Sequence, residues 1–153
     1  MDCFWQLPDN WLMPTALREI FGGSCNFALN RIVELEKIRL GWIEVVFPDP
    51  SHPYDAIWHN KLAFQDVGNG DMLAIDITPG SSEEVVYLSH EDGEGHGRRL
   101  GADFTDFLAR WSQIGFVGAE DWQMLPFAPD GGYIDPHCDA ANLFKREIRL
   151  ENK

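Results

Sequence analysis

Basic residues are scarce in this chain. Lys and Arg number 12 against 25 Asp and Glu, leaving a net charge of −13 at neutral pH. Such a surface repels the phosphates of nucleic acid and of anionic membranes, so neither is an expected partner, whereas a basic protein would be drawn in. Cysteine is scarce too. Cys3, Cys25 and Cys138 are odd in number, widely spaced and without a C-x-x-C pair. That excludes a disulfide scaffold or zinc ribbon and predicts reduced thiols in the cytoplasm. No apolar run approaches the roughly eighteen residues of a membrane span. The opening Met1-Asp-Cys-Phe-Trp-Gln6 lacks the basic and apolar regions of a secretory signal, so a cytoplasmic location is expected. At 153 residues, with no internal repeat and no dividing linker, residues 1–153 read as a single domain with a real core.

The most legible stretch is Leu62 to Ile114. Met72 to Ile77 alternates, with Leu73, Ile75 and Ile77 on one side and Met72, Ala74 and Asp76 on the other. This predicts a strand with one well-buried face. Gly68-Asn-Gly70 is a turn that joins it to a strand beginning near Leu62. Val85 to His90 is rich in β-branched and aromatic residues, and Thr78 to Glu84 is turn chemistry, so an antiparallel hairpin follows. The period then changes. Phe104, Phe107, Leu108, Trp111 and Ile114 recur at helical spacing, with Asp103 as N-cap, Asp106 as the capping-box acid and Gly115 as the stop.

The flanks are less regular. Pro14 to Phe21 predicts a short helix closed by Gly22-Gly23, Cys25 to Leu29 a short strand, and Asn30 the cap of a helix reaching about Val46. In that helix Ile32, Leu35, Ile38 or Arg39, and Trp42 keep the helical period. Three prolines between Phe47 and Pro53 predict an exposed loop. Ala56 to Leu62 is ambiguous. Beyond Gly115, Trp122, Leu125 and Phe127 are expected to tuck against the body. Asp135-Pro136 is expected to open a last helix with Ala140 or Ala141, Phe144 and Ile148 inward. Most of the six tryptophans are expected in the core.

The strongest pattern for chemistry is His90-Glu-Asp-Gly-Glu-Gly-His96. His90, Asp92 and His96 would serve a small metal-dependent hydrolase, but the spacing matches no zinc motif and the glycines indicate a loop. The serines lie in no G-x-S-x-G elbow, and Gly68-Asn-Gly70 lacks the lysine and helix start of a phosphate loop. Catalysis is not supported, and no cofactor is expected. Binding is better supported. Asp66, Asp71, Asp76, Glu83, Glu84, Glu91, Asp92 and Glu94 crowd one region and would suit a basic protein partner.

The order of these elements resembles the SMI1/KNR4 family of the SUKH superfamily. The resemblance rests on Pro14 to Gly23, Phe27 to Leu35, Leu62-Ala-Phe64, Gly68-Asn-Gly-Asp-Met-Leu-Ala-Ile-Asp76, Glu84-Val-Val-Tyr87, His90-Glu-Asp92 and Phe104-Thr-Asp-Phe-Leu108. Asp103 stands for the usual serine, Asp106 for the glutamate and His90-Glu for His-Asp. The match spans Trp11 to Ile114 and leaves residues 115–153 as an irregular segment plus a helix. The resemblance implies an α+β fold, a mostly antiparallel sheet of about six strands covered by several helices. It also implies a non-enzymatic role. Bacterial members resemble immunity proteins that neutralise nuclease or deaminase toxins, and fungal members are regulatory modules.

Overall fold

The computed structural model describes residues 29–91 and 93–148. The helix expected at Pro14–Phe21, all but the last residue of the strand expected at Cys25–Leu29, Asp92, and Trp5 and Trp11 lie outside the described residues.

Helix α1 (Leu29–Val45) is rich in Leu, Glu, Lys and Arg, residues that lose little rotamer freedom in a helix. Leu29 belongs to this helix rather than to a strand, and Asn30 lies inside its first turn rather than at its cap. Its apolar residues form no single stripe. Leu35 and Arg39 are buried, whereas Val33, Ile38, Leu40 and Val45 face out. Arg39 therefore takes the inward place that Ile38 competes for in the sequence, because its guanidinium donates to the buried Trp58 carbonyl and to Glu36. The Val46 and Phe47 amides both close on the Trp42 carbonyl, ending the helix and folding Phe47 back onto Trp58, ring centroids 4.9 Å apart.

The proline-rich segment is a loop only as far as His52. Pro53 opens helix α2 (Pro53–Trp58), since a first-turn proline loses no helical hydrogen bond and has its φ already set.

Four strands follow: β1 (Lys61–Asp66), β2 (Met72–Asp76), β3 (Val85–Leu88) and β4 (Arg99–Gly101). They pair antiparallel in the order β1-β2-β3-β4, with Leu62 opposite Ile75, Leu73 opposite Tyr87 and Val85 opposite Gly101. The sheet thus has four strands among the described residues, not about six. β4 arises where the sequence predicts only an acidic loop.

The expectation of one buried face is also corrected. One face packs Phe64, Leu73, Val85, Tyr87 and Leu100 against Phe107, Trp111 and Ile114 of helix α3 (Phe104–Gln113) and the turn that ends it. The opposite face packs Ala63, Met72, Ala74, Val86 and Leu88 against Leu35, Phe47 and Trp58. Helices on both sides bury both halves of the alternation, and only Ile77, just past β2, keeps an exposed apolar side chain.

Helix α3 forms as its sequence predicts. Asp103 accepts from the Asp106 amide at 2.7 Å, while Asp106 reaches back to the Ala102 amide, one residue before the cap. At the other end Gly115 has φ 70° and donates to Ser112, and Phe116 donates to Trp111. These two bonds make a Schellman stop, completed by the contact of the Trp111 and Phe116 rings.

The tail continues through helix α4 (Asp121–Met124), two 3-10 turns (Leu125–Phe127 and Pro129–Gly131) and helix α5 (Asp139–Glu147). Helix α5 starts later than expected. Asp135 instead holds a turn by accepting from the His137 amide, and the Cys138 side chain accepts from Ala141. Ala141 and Phe127 are buried as expected, but Trp122 is 62% exposed.

Candidate functional site

Both chain reversals at one end of the sheet, Val67–Asp71 and Ser89–Arg98, carry most of the polar residues that the sequence singles out. Gly68 and Gly70, at φ 95° and 110°, make the tight turn between β1 and β2. The Asp66 carboxylate accepts from the Gly68 amide at 2.8 Å, and the Asn69 side chain accepts from the Asp71 amide at 2.9 Å. The turn delivers Asp71 inward, where it is only 4% exposed.

Asp71 organises this end. Its Oδ2 accepts from the Tyr87 hydroxyl at 2.7 Å and from Asn69, and its Oδ1 accepts from the His90 amide at 2.9 Å. The His90 Nδ1 lies 2.7 Å from the same Oδ1. Burial disfavours the charged carboxylate, but the hydrogen bonds from His90, Tyr87 and Asn69 outweigh it and hold the Asp71 pKa below its ordinary value. Burial, and then the Asp71 charge, push the Tyr87 hydroxyl far above its ordinary range, so it stays protonated and donates. The Tyr87 oxygen also accepts from the Asp121 amide at 3.1 Å, which ties helix α4 to the sheet.

The loop after β3 is held from beneath. Tyr54 and Trp58 of helix α2 donate to the Ser89 carbonyl at 2.9 and 3.1 Å, and the Tyr54 hydroxyl also reaches the Glu91 carbonyl. His96 stacks on the Tyr54 ring with centroids 3.7 Å apart. Its Nδ1 accepts from the Ser89 amide at 3.1 Å, so the proton sits on Nε2, which donates to the Tyr54 carbonyl at 3.0 Å. Burial lowers the His96 pKa and favours this neutral tautomer. Gly95 is required for its size rather than its φ. A Cβ there would lie 2.4 Å from the Asp121 Cβ, where the loop is seated on helix α4.

This arrangement spends its acid-base groups on structure. Both His96 ring nitrogens are engaged, so His96 has no lone pair left for a metal, and His90 Nδ1 faces Asp71. Among the described residues no group of three His, Cys, Asp or Glu side chains is placed to hold a metal ion.

The acids expected to form one surface separate into three environments. Asp71 is turned into the protein, out of a partner's reach. Asp66, Glu91 and Glu94 lie at the Asp71 end, and the Glu91 and Glu94 side chains point to solvent. Asp76, Glu83 and Glu84 lie at the opposite end of the sheet. There Asp76 pairs with the buried Lys61 at 3.3 Å, and Glu84 pairs with Arg99 at 3.2 Å and accepts from the Tyr133 hydroxyl.

Two residues of this end escape a reading of the sequence. Tyr54 sits in a segment that its prolines mark as loop. Trp122 carries the ordinary signature of a core residue but stands out beside the acidic loop.

A four-stranded antiparallel sheet clasped by helices, with a braced acidic loop at one end, defines an α+β protein. The SMI1/KNR4 family (SUKH-1) model matches residues 5–110, and the chain belongs to that family. Membership points to a protein partner, and the family is generally non-catalytic. No curated protein and no solved structure matches the chain. Among the described residues no helix is long and apolar enough to cross a membrane.

Proposed function

We propose that this chain is a non-enzymatic, protein-binding domain spanning residues 1–153, and specifically a cytoplasmic bacterial immunity protein. It neutralises a basic nuclease or deaminase toxin by occluding it, with no chemistry of its own. One observation carries this reading: the Ser89–Arg98 loop is braced from within by Asp71, Tyr54, Trp58 and His96, yet holds Glu91 and Glu94 outward. Acids carried at Glu91 and Glu94 on hydrogen-bonded backbone present charge with less backbone ordering on binding, which suits the phosphate-binding surface of a nuclease. The net charge of −13 adds long-range attraction for the same kind of partner.

The test reads the neighbouring gene for a secreted toxin and measures the binding of its toxin domain to this chain. Reversal of Glu91, Asp92 and Glu94 to Lys weakens binding at least tenfold, mostly through slower association, while the melting temperature holds. Reversal of Glu83, at the far end of the sheet, serves as the charge control for the single reversal Glu94→Lys. Equal affinity for the wild type and the triple variant removes the loop from the interface. A partner that is not a toxin replaces the immunity role with that of a regulatory module of the same family.

A further inference from the structure

Trp122 is the largest apolar side chain that the described residues leave exposed, at 62%. An exposed apolar residue alone requires no explanation, but this one is held in place. Its indole Nε1 donates to the Glu120 carboxylate at 2.6 Å, and the Glu120 amide donates to the Gln123 side chain at 3.1 Å. Two residues along, Met124 is fully buried, and the preceding Asp121 receives the Gly95 amide and gives its own amide to Tyr87. Helix α4 is therefore pinned on three sides, and its tryptophan is directed away from the core. With the polar edge of the indole already satisfied and no aromatic or cation contact to the ring among the described residues, the exposed part of the ring can stack.

Among the described residues the charged groups adjoining that ring in the chain are acidic. Glu120 and Asp121 flank it in the chain, and the exposed Glu94 lies between Gly93 and Gly95, the two glycines seated on Asp121. A pre-positioned indole with carboxylates beside it matches arginine, whose planar guanidinium stacks on aromatic faces and hydrogen-bonds carboxylates. We propose that Trp122 anchors a docking surface for an arginine-bearing segment of a basic protein, with Glu94 and Glu120 as the carboxylates that receive the guanidinium. The proposal rests on the protein-binding reading above and names its contact point.

The test follows the indole N–H signals of the full chain by NMR, with Trp122 assigned through Trp122→Phe. A hexa-arginine peptide is titrated in, and then the uncharged hexa-citrulline peptide of the same shape. The Trp122 signal is expected to move saturably with arginine and stay still with citrulline. Glu94→Lys weakens the arginine titration of that signal by roughly two- to thirtyfold, and Trp122→Ala weakens hexa-arginine binding read by calorimetry over the same range. Equal movement of all indole signals would mean diffuse charge attraction and overturn the proposal. So would a Trp122 signal that shifts with protein concentration alone, which would make a second copy the occupant. If the toxin binds but Trp122 is silent, the surface falls and the immunity reading stands. If Trp122 responds to arginine but no toxin binds, the surface stands and the immunity reading falls.

Discussion

Replacing Asp71 tests whether the acidic loop is held from inside the sheet. In Asp71→Ala the His90 amide and the Tyr87 hydroxyl each lose their acceptor in a buried or half-buried setting. A stranded donor of this kind costs about 1–3 kcal/mol, so the loss is about 3–5 kcal/mol in all. For a chain of this length that lowers Tm by roughly 10 °C. Asp71→Asn keeps one acceptor oxygen, which can stay with the His90 amide while the new NH2 faces the Tyr87 oxygen, and costs about 1–2 kcal/mol. Tyr87→Phe, alone and combined with Asp71→Asn, closes a double-mutant cycle whose coupling should exceed about 0.5 kcal/mol. The pH dependence has a definite sign. The folded pKa of Asp71 lies below its unfolded value, so its contribution is present above about pH 4 and is lost as pH falls through the folded value. The gap between wild type and Asp71→Asn therefore narrows in acid. Urea unfolding at pH 7 and pH 3 measures both effects. An Asp71→Asn variant as stable as wild type at pH 7, with no coupling to Tyr87, would refute the assignment of Asp71 as organiser of the loop.

Two further outcomes follow from the same geometry. His96 has its folded pKa depressed by burial, so it contributes stability above the unfolded value of about 6.5 that is lost as pH falls through the folded value; His96→Gln should flatten stability between pH 7 and pH 5, read from Tm across that range. Gly101→Ala brings a Cβ to 2.6 Å from the Phe107 Cα and Cβ, a clash with backbone that cannot rotate away, so it should cost about 1–3 kcal/mol in urea unfolding, and a neutral result would mean that helix α3 rides further from β4.

What the sequence makes legible is what neighbours in the chain decide. The turn at Gly68–Gly70, the β2–β3 hairpin and helix α3 with its Asp103 cap and Gly115 stop are fixed by residues a few positions apart, and each forms as read. The misses depend on distant partners. β4 is three residues long and exists because β3 offers it an edge and Gly101 lets Phe107 pass. The Met72 and Ala74 side of β2 reads as the solvent face because Asp76 shares it. It is buried because helices α1 and α2 return across it. Helix α1 shows no clean stripe, since Arg39 takes an inward position by bonding a carbonyl nineteen residues away. At the candidate site the acidic composition was plain, but composition cannot separate an acid that faces solvent from one that closes a network. Asp71 and Glu94 look alike in the sequence and do opposite things.

That separation limits how the charge of −13 can act on a partner. Strand β2 runs from the Asp71 end to Asp76, and its four steps of about 3.4 Å place the two acidic ends roughly 14 Å apart. At physiological ionic strength charges are screened over about 8 Å, so a contact at one end of the sheet feels little of the other. The far end has also neutralised much of its own charge, with Lys61 on Asp76 and Arg99 on Glu84. The Glu91 and Glu94 loop has no such cationic pairing among the described residues, apart from Glu91 beside the His90 ring. On the proposed binding function, specific recognition would concentrate at the Asp71 end, where charge is left open on a hydrogen-bonded backbone. On the same proposal the remaining acids would only add to the field that draws a basic partner near, and the loop would set where it settles.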